Sequence, residues 1–294
     1  MMERRQLVEA EPFALKNMPM RPRERRRLLE REGTLHIEEE RGEVFLVPEL
    51  GQLRIYWGFE NVEAMRTLFP GWFDELRAHI TLDRADYVAM DLVSLPNRNW
   101  LDPMLDDASF EFFAEWMEMT HSDLDPDAVP DFPEGVTMRR GEADDVTRCR
   151  DIWIEAYGEL GDGPRTFDAL VEEASWHGVM ESNGDIVAFA FNGEVERAEG
   201  TVLSAAVAPE AWGNGYGRLI LQAAAFQLAT QEARRTTIRV RPDIKQSLRA
   251  CSDVGFRFSR GGLEFRRTTD EEAISRKKQE RRVAGVKARF GKWR

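Results

Sequence analysis

Apolar and polar positions along the chain fall into short runs whose period changes at regular intervals. Thr34 to Ile37 alternates, Val44 to Val47 is continuously apolar, and Leu53 to Phe59 alternates with aromatics. Gly42 and the pair Leu50-Gly51 separate these runs, so the pattern predicts three strands joined by turns. A helix is expected from about Asn61 to His79, disturbed at Pro70-Gly71, followed by a strand over Tyr87 to Val93. Asn99 to Ala108 reads as a short helix and Phe110 to Met119 as a further strand.

The second half repeats the scheme. Val136 to Arg140 predicts a strand, and the acidic turn at Gly141 to Asp145 opens a helix carrying Trp153, Ile154 and Tyr157. Asp144 and Asp145 suit the positive end of that helix. Gly158 to Pro164 breaks it, a second helix covers Thr166 to Ser175, and Asn183-Gly184 makes a hairpin turn into a strand over Ile186 to Asn192. Val202 to Val207 has the length and branched residues of a buried strand. A long helix from Arg218, a strand over Thr236 to Arg241, a short helix over Ile244 to Val254 and a strand from Phe256 complete the series.

The order after Val207 (helix, strand, short helix, strand) matches the order after Phe59, at nearly the same spacing. This predicts two copies of one domain whose sequences have drifted apart; an unrelated α/β domain is the other reading of the first half. Between them, residues 121–133 pack Asp123, Asp125, Asp127 and Asp131 among Pro126, Pro130 and Pro133. The carboxylate spacing resembles a calcium loop, but Ala128 stands where that loop needs glycine. The segment reads as a linker.

The chemistry concentrates at Gly213-Asn214-Gly215-Tyr216-Gly217, between the strand ending at Val207 and the helix beginning near Arg218. The first amides of a helix lack intrahelical partners and lie at its positive end. Glycines ahead of it let a ligand approach the backbone, so strand, glycine turn and helix together make a phosphate site. No Gly-Lys-Ser/Thr follows, which excludes a P-loop. The glycine spacing does not fit a dinucleotide fingerprint either.

With Val207, Pro209, Gly215 and Gly217 in place and Gly213 as an additional glycine, the stretch resembles motif A of the GNAT N-acetyltransferase superfamily. Trp212 departs from it, standing where the family usually has Arg or Gln. The resemblance implies an α/β (α+β) fold of two GNAT-like domains, each a mixed, mostly antiparallel twisted sheet flanked by helices. It implies that Gly213, Asn214, Gly215, Tyr216, Gly217 and Arg218 hold the pyrophosphate of acetyl-coenzyme A, while Ala205, Ala206 and Val207 pair with its pantetheine arm. The expected reaction is acetyl transfer to a primary amine of a small molecule or peptide. In the family, the connection between the first two helices helps form the acceptor site, which singles out Tyr157, Glu159, Asp162 and Arg165. The family often places a proton-donating tyrosine five residues before the phenylalanine of a Gly-Phe pair. Here the pair is Gly255-Phe256 and the matching residue is Cys251, either a proton donor or a small buried helix residue. An asparagine often found seven residues earlier is replaced by Ile244. Glu199, Asp243 and Ser204 are candidates for relaying the amine proton, each also readable as a solvated or structural residue; Tyr216 is a further one. The two departures also support a second reading, a GNAT-fold coenzyme A binding module that acts through partner contacts.

The expected division is an arm over 1–32, a degenerate GNAT-like domain over 33–120, the linker, the acetyl-coenzyme A domain over 134–268 and a basic tail over 269–294. In the first copy the turn corresponding to the glycine loop is Glu60-Asn61-Val62-Glu63, whose carboxylates would repel a pyrophosphate. The arm carries Arg21, Arg23, Arg25, Arg26 and Arg27 interleaved with glutamates, as a docking arm or a solvated helix over Arg23 to Arg31.

Composition narrows the rest. The chain has 294 residues, 42% of them hydrophobic, enough for two packed cores. Its net charge of −12 disfavours nucleic acid and favours cationic partners. Two cysteines, Cys149 and Cys251, give no disulfide framework. No apolar run approaches the roughly 20 residues that span a bilayer, and no apolar stretch follows the N-terminal arginines. A cytoplasmic protein without membrane contacts is expected. His36, His79, His121 and His177 lack metal-site spacing, so no metal is expected. The basic tail is expected to pack on its own chain or on a second copy as a homo-oligomer.

Overall fold

The computed structural model describes residues 13–18, 22–81, 84–93, 99–157 and 164–290. They form two compact units, one of residues 1–113 with 264–294 and one of residues 114–263. The division does not fall at the 121–133 linker or at residue 268. The chain changes unit inside two strands, β6 (Glu111–His121) and β12 (Arg257–Thr268). The linker lies within the second unit, where Leu124 and Phe132 pack on its core.

In the first unit β2 (Leu35–Glu39), β3 (Gly42–Glu49) and β4 (Gln52–Phe59) form an antiparallel meander, and β5 (Tyr87–Val93) runs parallel to β4. Helix α2 (Val62–Arg77) packs Met65, Phe69, Trp72, Phe73 and Leu76 into the core. It continues through Pro70, because burial of that face outweighs the one backbone bond proline removes. Helix α3 (Asp102–Asp107) is shorter than its sequence signal. Helix α1 (Pro22–Glu30) lies against this unit as a tethered element. Its Arg25 bonds Glu43 at 2.7 Å and Glu38 at 2.6 Å. At the other end of the chain, Asp270 caps α8 (Glu271–Phe290) by accepting from the Ala273 amide, and Lys277 pairs with Glu111 at 2.5 Å.

One pairing in this unit has no counterpart in the hydrophobic pattern. β4 and β5 pair only from Leu53 to Ile55 and then part. The edge of β4 beyond that point is taken by β1 (Leu15–Lys16), with Leu15 opposite Phe59 and Lys16 opposite Gly58. Buried Asn17 completes the pairing. Its side chain donates to the Ile55 carbonyl and accepts from the Trp57 amide, both at 2.8 Å, and its own amide donates to the Trp57 carbonyl. Phe13 anchors the segment against Phe45 and Val47.

The second unit orders its strands β7 (Val136–Arg140), β8 (Trp176–Ser182), β9 (Asp185–Asn192), β10 (Glu199–Val207), β11 (Arg235–Val240) and β6. All neighbours are antiparallel except β10 and β11, which run parallel. The β8–β9 turn sets both Asn183 and Gly184 at positive φ, as a two-residue hairpin requires. Helices α4 (Asp145–Tyr157), α5 (Pro164–Glu173), α6 (Tyr216–Thr230) and α7 (Lys245–Val254) flank the sheet. The apolar core draws on Met180, Ala190, Val202, Ile220, Ala224 and Phe256, among others. α4 is fixed at its start by Asp145, which accepts two bonds from Arg139 at 2.6 and 2.9 Å and one from the Glu142 amide at 2.7 Å.

Two stability predictions follow from these contacts. Asn17→Ala leaves the Ile55 carbonyl and Trp57 amide without their buried partners, so urea unfolding should show a loss of about 1–3 kcal/mol; an unchanged midpoint would show that the pairing is not needed. The Arg139 bonds lower the Asp145 pKa to about 2. Because the folded value lies below the unfolded one, the stabilisation is present above about pH 4 and fades as pH falls towards 2. Asp145→Asn should be less stable at neutral pH and lack that component of the acid transition, measured as Tm against pH.

Candidate functional site

The site is set by where two parallel strands separate. β10 and β11 pair from Glu199 with Arg235 to Val202 with Ile238, and no further. A bulge between Val202 and Ser204 shifts the register of β10 against β9 at the same place. Beyond it, Ala206 pairs with Phe189, and the Ala208 amide donates to the Val187 carbonyl. Alternate residues of a strand bond opposite neighbours. Ala206 is thus committed to β9, and only Ala205 and Val207 turn their backbone groups into the gap. Expected pairing with a pantetheine arm therefore narrows to these two residues.

Both gap-facing carbonyls carry a side-chain donor. The Tyr157 hydroxyl, at the end of α4, donates to the Ala205 carbonyl at 2.6 Å. The Trp212 indole donates to the Val207 carbonyl at 2.8 Å while the ring stays exposed.

The glycine loop sits at the same end of β10. Gly213 and Gly215 have φ of +86° and +80°, where a side chain is strained, and a Cβ on either would meet nothing within 4 Å. Space is therefore open above the loop. Gly215 caps α6 without any side-chain hydrogen bond, which leaves its first amides available to an anion at the positive end of the helix. Asn214 folds back instead, its amide donating to the Ala211 carbonyl at 3.1 Å. Arg218 is exposed on the first turn. Tyr216 turns its hydroxyl to Ser182, at 3.1 Å, and so faces away from the gap. There it lines a cleft of about 660 Å³ bounded by the β8–β9 turn, Arg148 and Glu210.

The structure separates the residues expected to do chemistry. Glu199 stands at the far end of β10, exposed, with Arg235 at 3.6 Å. Six residue steps of extended strand, about 20 Å, separate it from Ala205. It is not a group of the gap; the pairing of β10 with β11 begins at Glu199 rather than ending there. Asp243 follows the gap end of β11, but Arg241 bonds both its oxygens, at 3.1 and 2.7 Å, and lowers its pKa. Ser204, half-buried, is placed on β10 just past the bulge. Cys251 is 1% exposed, within the apolar core, and burial pushes its thiol up to about 12. That is a packing residue, not an accessible proton donor. Cys149 is equally sequestered, its thiol also pushed up to about 12 by burial. Of the acceptor-site candidates, Tyr157 reaches the gap, Arg165 is exposed on α5, and Glu159 and Asp162 lie outside the described residues. The pairing roles of Tyr157 and Trp212 had no local signal, since each depends on a carbonyl brought to it by the fold.

Among the described residues, His36, Glu38 and Glu43 bring one ligand atom each within 4.8 Å of one another, although their spacing in sequence does not suggest it. Arg25 bonds both carboxylates, and the group is an ion-pair cluster.

Residues 146–256 match the acetyltransferase (GNAT) family. Solved structures share the fold over most of the chain. A GCN5-related N-acetyltransferase from Sphaerobacter thermophilus is 15% identical, with a TM-score of 0.57 over 81% of this chain and 83% of its own. A tandem GNAT protein from the clavulanic acid biosynthesis pathway is 14% identical, with a TM-score of 0.56 over 81% and 84%. A GCN5-related N-acetyltransferase from Kribbella flavida is 14% identical, with 0.54 over 82% and 91%. No curated protein matches the chain in sequence. Among the described residues no helix is long and apolar enough to cross a membrane.

The burial of both thiols gives a direct check. A disulfide reagent at pH 7.5 should label neither Cys149 nor Cys251 within minutes in the native protein and both after unfolding in urea. Rapid labelling of the native protein would return Cys251 to the chemistry.

Proposed function

We propose that the protein is an N-acetyltransferase that moves an acetyl group from acetyl-coenzyme A to a primary amine of a small molecule or peptide. The observation that carries this reading is the coincidence, at one end of β10, of an open glycine loop with two gap-facing backbone positions. Gly213 to Gly217 would hold the pyrophosphate on the α6 amides, with Arg218 adding charge, and Ala205 and Val207 would pair with the extended arm. The donor supplies an already reactive acyl carbon. The chain's own task is to align the amine, keep water from the gap and manage two protons. The net charge of −12 suits an acceptor that arrives as an ammonium ion.

The first unit is read as a degenerate copy of the same domain, in tandem with the working one. Two features support this. The edge of β4 beyond its split from β5 is filled by β1 and Asn17, and the Ala64 amide at the start of α2 is bonded by Asn61 at 2.9 Å. Both places that would receive a donor in that unit are occupied by the chain itself.

Calorimetry with coenzyme A and acetyl-coenzyme A tests the reading. One site per chain is expected, and Gly215→Glu should weaken it at least tenfold by placing a carboxylate at the loop. A thermal melt of the variant must stay cooperative for the comparison to count. Absence of binding to the wild type, or two equal sites, would overturn the assignment.

A further inference from the structure

The proton that the leaving sulfur requires has no donor at the position where the motif leads one to look. Cys251 is shut in the core. The group that does reach the gap is Tyr157, from a different helix. Its ring stacks edge-on beside Trp153 at 6.2 Å, and its hydroxyl is held between elements. It donates to the Ala205 carbonyl at 2.6 Å, and Ser247 of α7 and Cys251 lie close enough to influence it electrostatically. The phenol thus stands beside the helix position that lacks a tyrosine, reached from α4 instead of α7.

We propose that Tyr157 is the catalytic proton donor of this site, a role that rests on the acetyltransferase reading above. Its present acceptor is a carbonyl that an amide of the donor's extended arm would take over. That exchange would free the O–H to serve the sulfur. In the transfer, the amine nitrogen bonds the acyl carbon, the carbon–sulfur bond breaks and its electron pair passes to sulfur. Tyr157 gives its proton to that sulfur, and the proton shed by the nitrogen returns to the phenolate through water. The products are an amide, a free thiol and the original tyrosine. Burial first of all, then the neighbouring Cys251, pushes the phenol up to about 12, so it stays protonated at neutral pH.

The first test needs no acceptor. Coenzyme A and desulfo-coenzyme A are titrated calorimetrically into the wild type and Tyr157→Phe, which keeps the ring. If the hydroxyl faces the sulfur, the wild type prefers coenzyme A by about fivefold and the variant binds the two within twofold of each other. A wild type that does not discriminate, or a preference that survives in Tyr157→Phe, overturns the role of Tyr157 while leaving the acetyltransferase reading intact. If the wild type binds neither ligand, that reading fails and the proposal with it. With an amine found by screening, Tyr157→Phe should lower kcat about 100-fold with acetyl-coenzyme A. The deficit should shrink below about tenfold with acetyl thioesters of more acidic thiols, which leave without a proton. An equal deficit with every thioester would mark a structural role and overturn the assignment.

Discussion

The structure depends on the backbone edge left when two parallel strands part. A buried or half-buried strand edge cannot keep its carbonyls and amides without partners, because each forfeits its hydrogen bonds to water. The two units meet that requirement differently. In the first, the edge of β4 is paired by β1 and by the side chain of Asn17, which bonds the Ile55 carbonyl and the Trp57 amide. In the second, single side-chain donors, Tyr157 and Trp212, cover the carbonyls of Ala205 and Val207. A strand built into the chain is a permanent partner. A rotatable hydroxyl and an exposed indole are exchangeable ones.

The helix that follows each strand shows the same contrast. α2 begins at Asn61, whose side chain bonds the Ala64 amide, an ordinary N-cap that satisfies the helix from within. α6 begins at Gly215, with φ at +80°, no capping side chain and open space around it. Capping stabilises a helix by about 1 kcal/mol. At α6 that cap is missing, and glycines at positive φ stand in its place, so the first amides of the helix are left without a side-chain partner.

The remaining polar groups hold this arrangement in position. Asp145 ties the first turn of α4 to Arg139 and to the Glu142 amide. The helix that carries Tyr157 is therefore fixed at one end by charge and at the other by Trp153 and the Ala205 carbonyl. Arg241 plays the opposite part for Asp243, binding both oxygens of a carboxylate that the sequence had offered as a proton relay.

Most of the elements, the glycine loop and its motif were legible in the sequence, because strand alternation, hairpin turns and positive-φ glycines are local properties of the chain. The order and spacing of elements that suggested a drifted repeat were legible for the same reason, since they too are read locally along the chain. The sequence also marked Cys251 and Ile244 as departures from the motif. What it could not show was partnership across distance. Asn17 lies in a polar, arginine-rich stretch with no strand signal, and only the folded unit brings it to β4. Glu199 looked close to the site because it belongs to the right strand, but a strand has two ends and only pairing decides which one opens. Cys251 was misplaced in function by position alone; three-dimensional packing buried its sulfur and brought the hydroxyl of Tyr157 to the gap. Local periodicity determined the elements. The matching of unpaired backbone groups, which is a tertiary property, decided which side chains meet in the site.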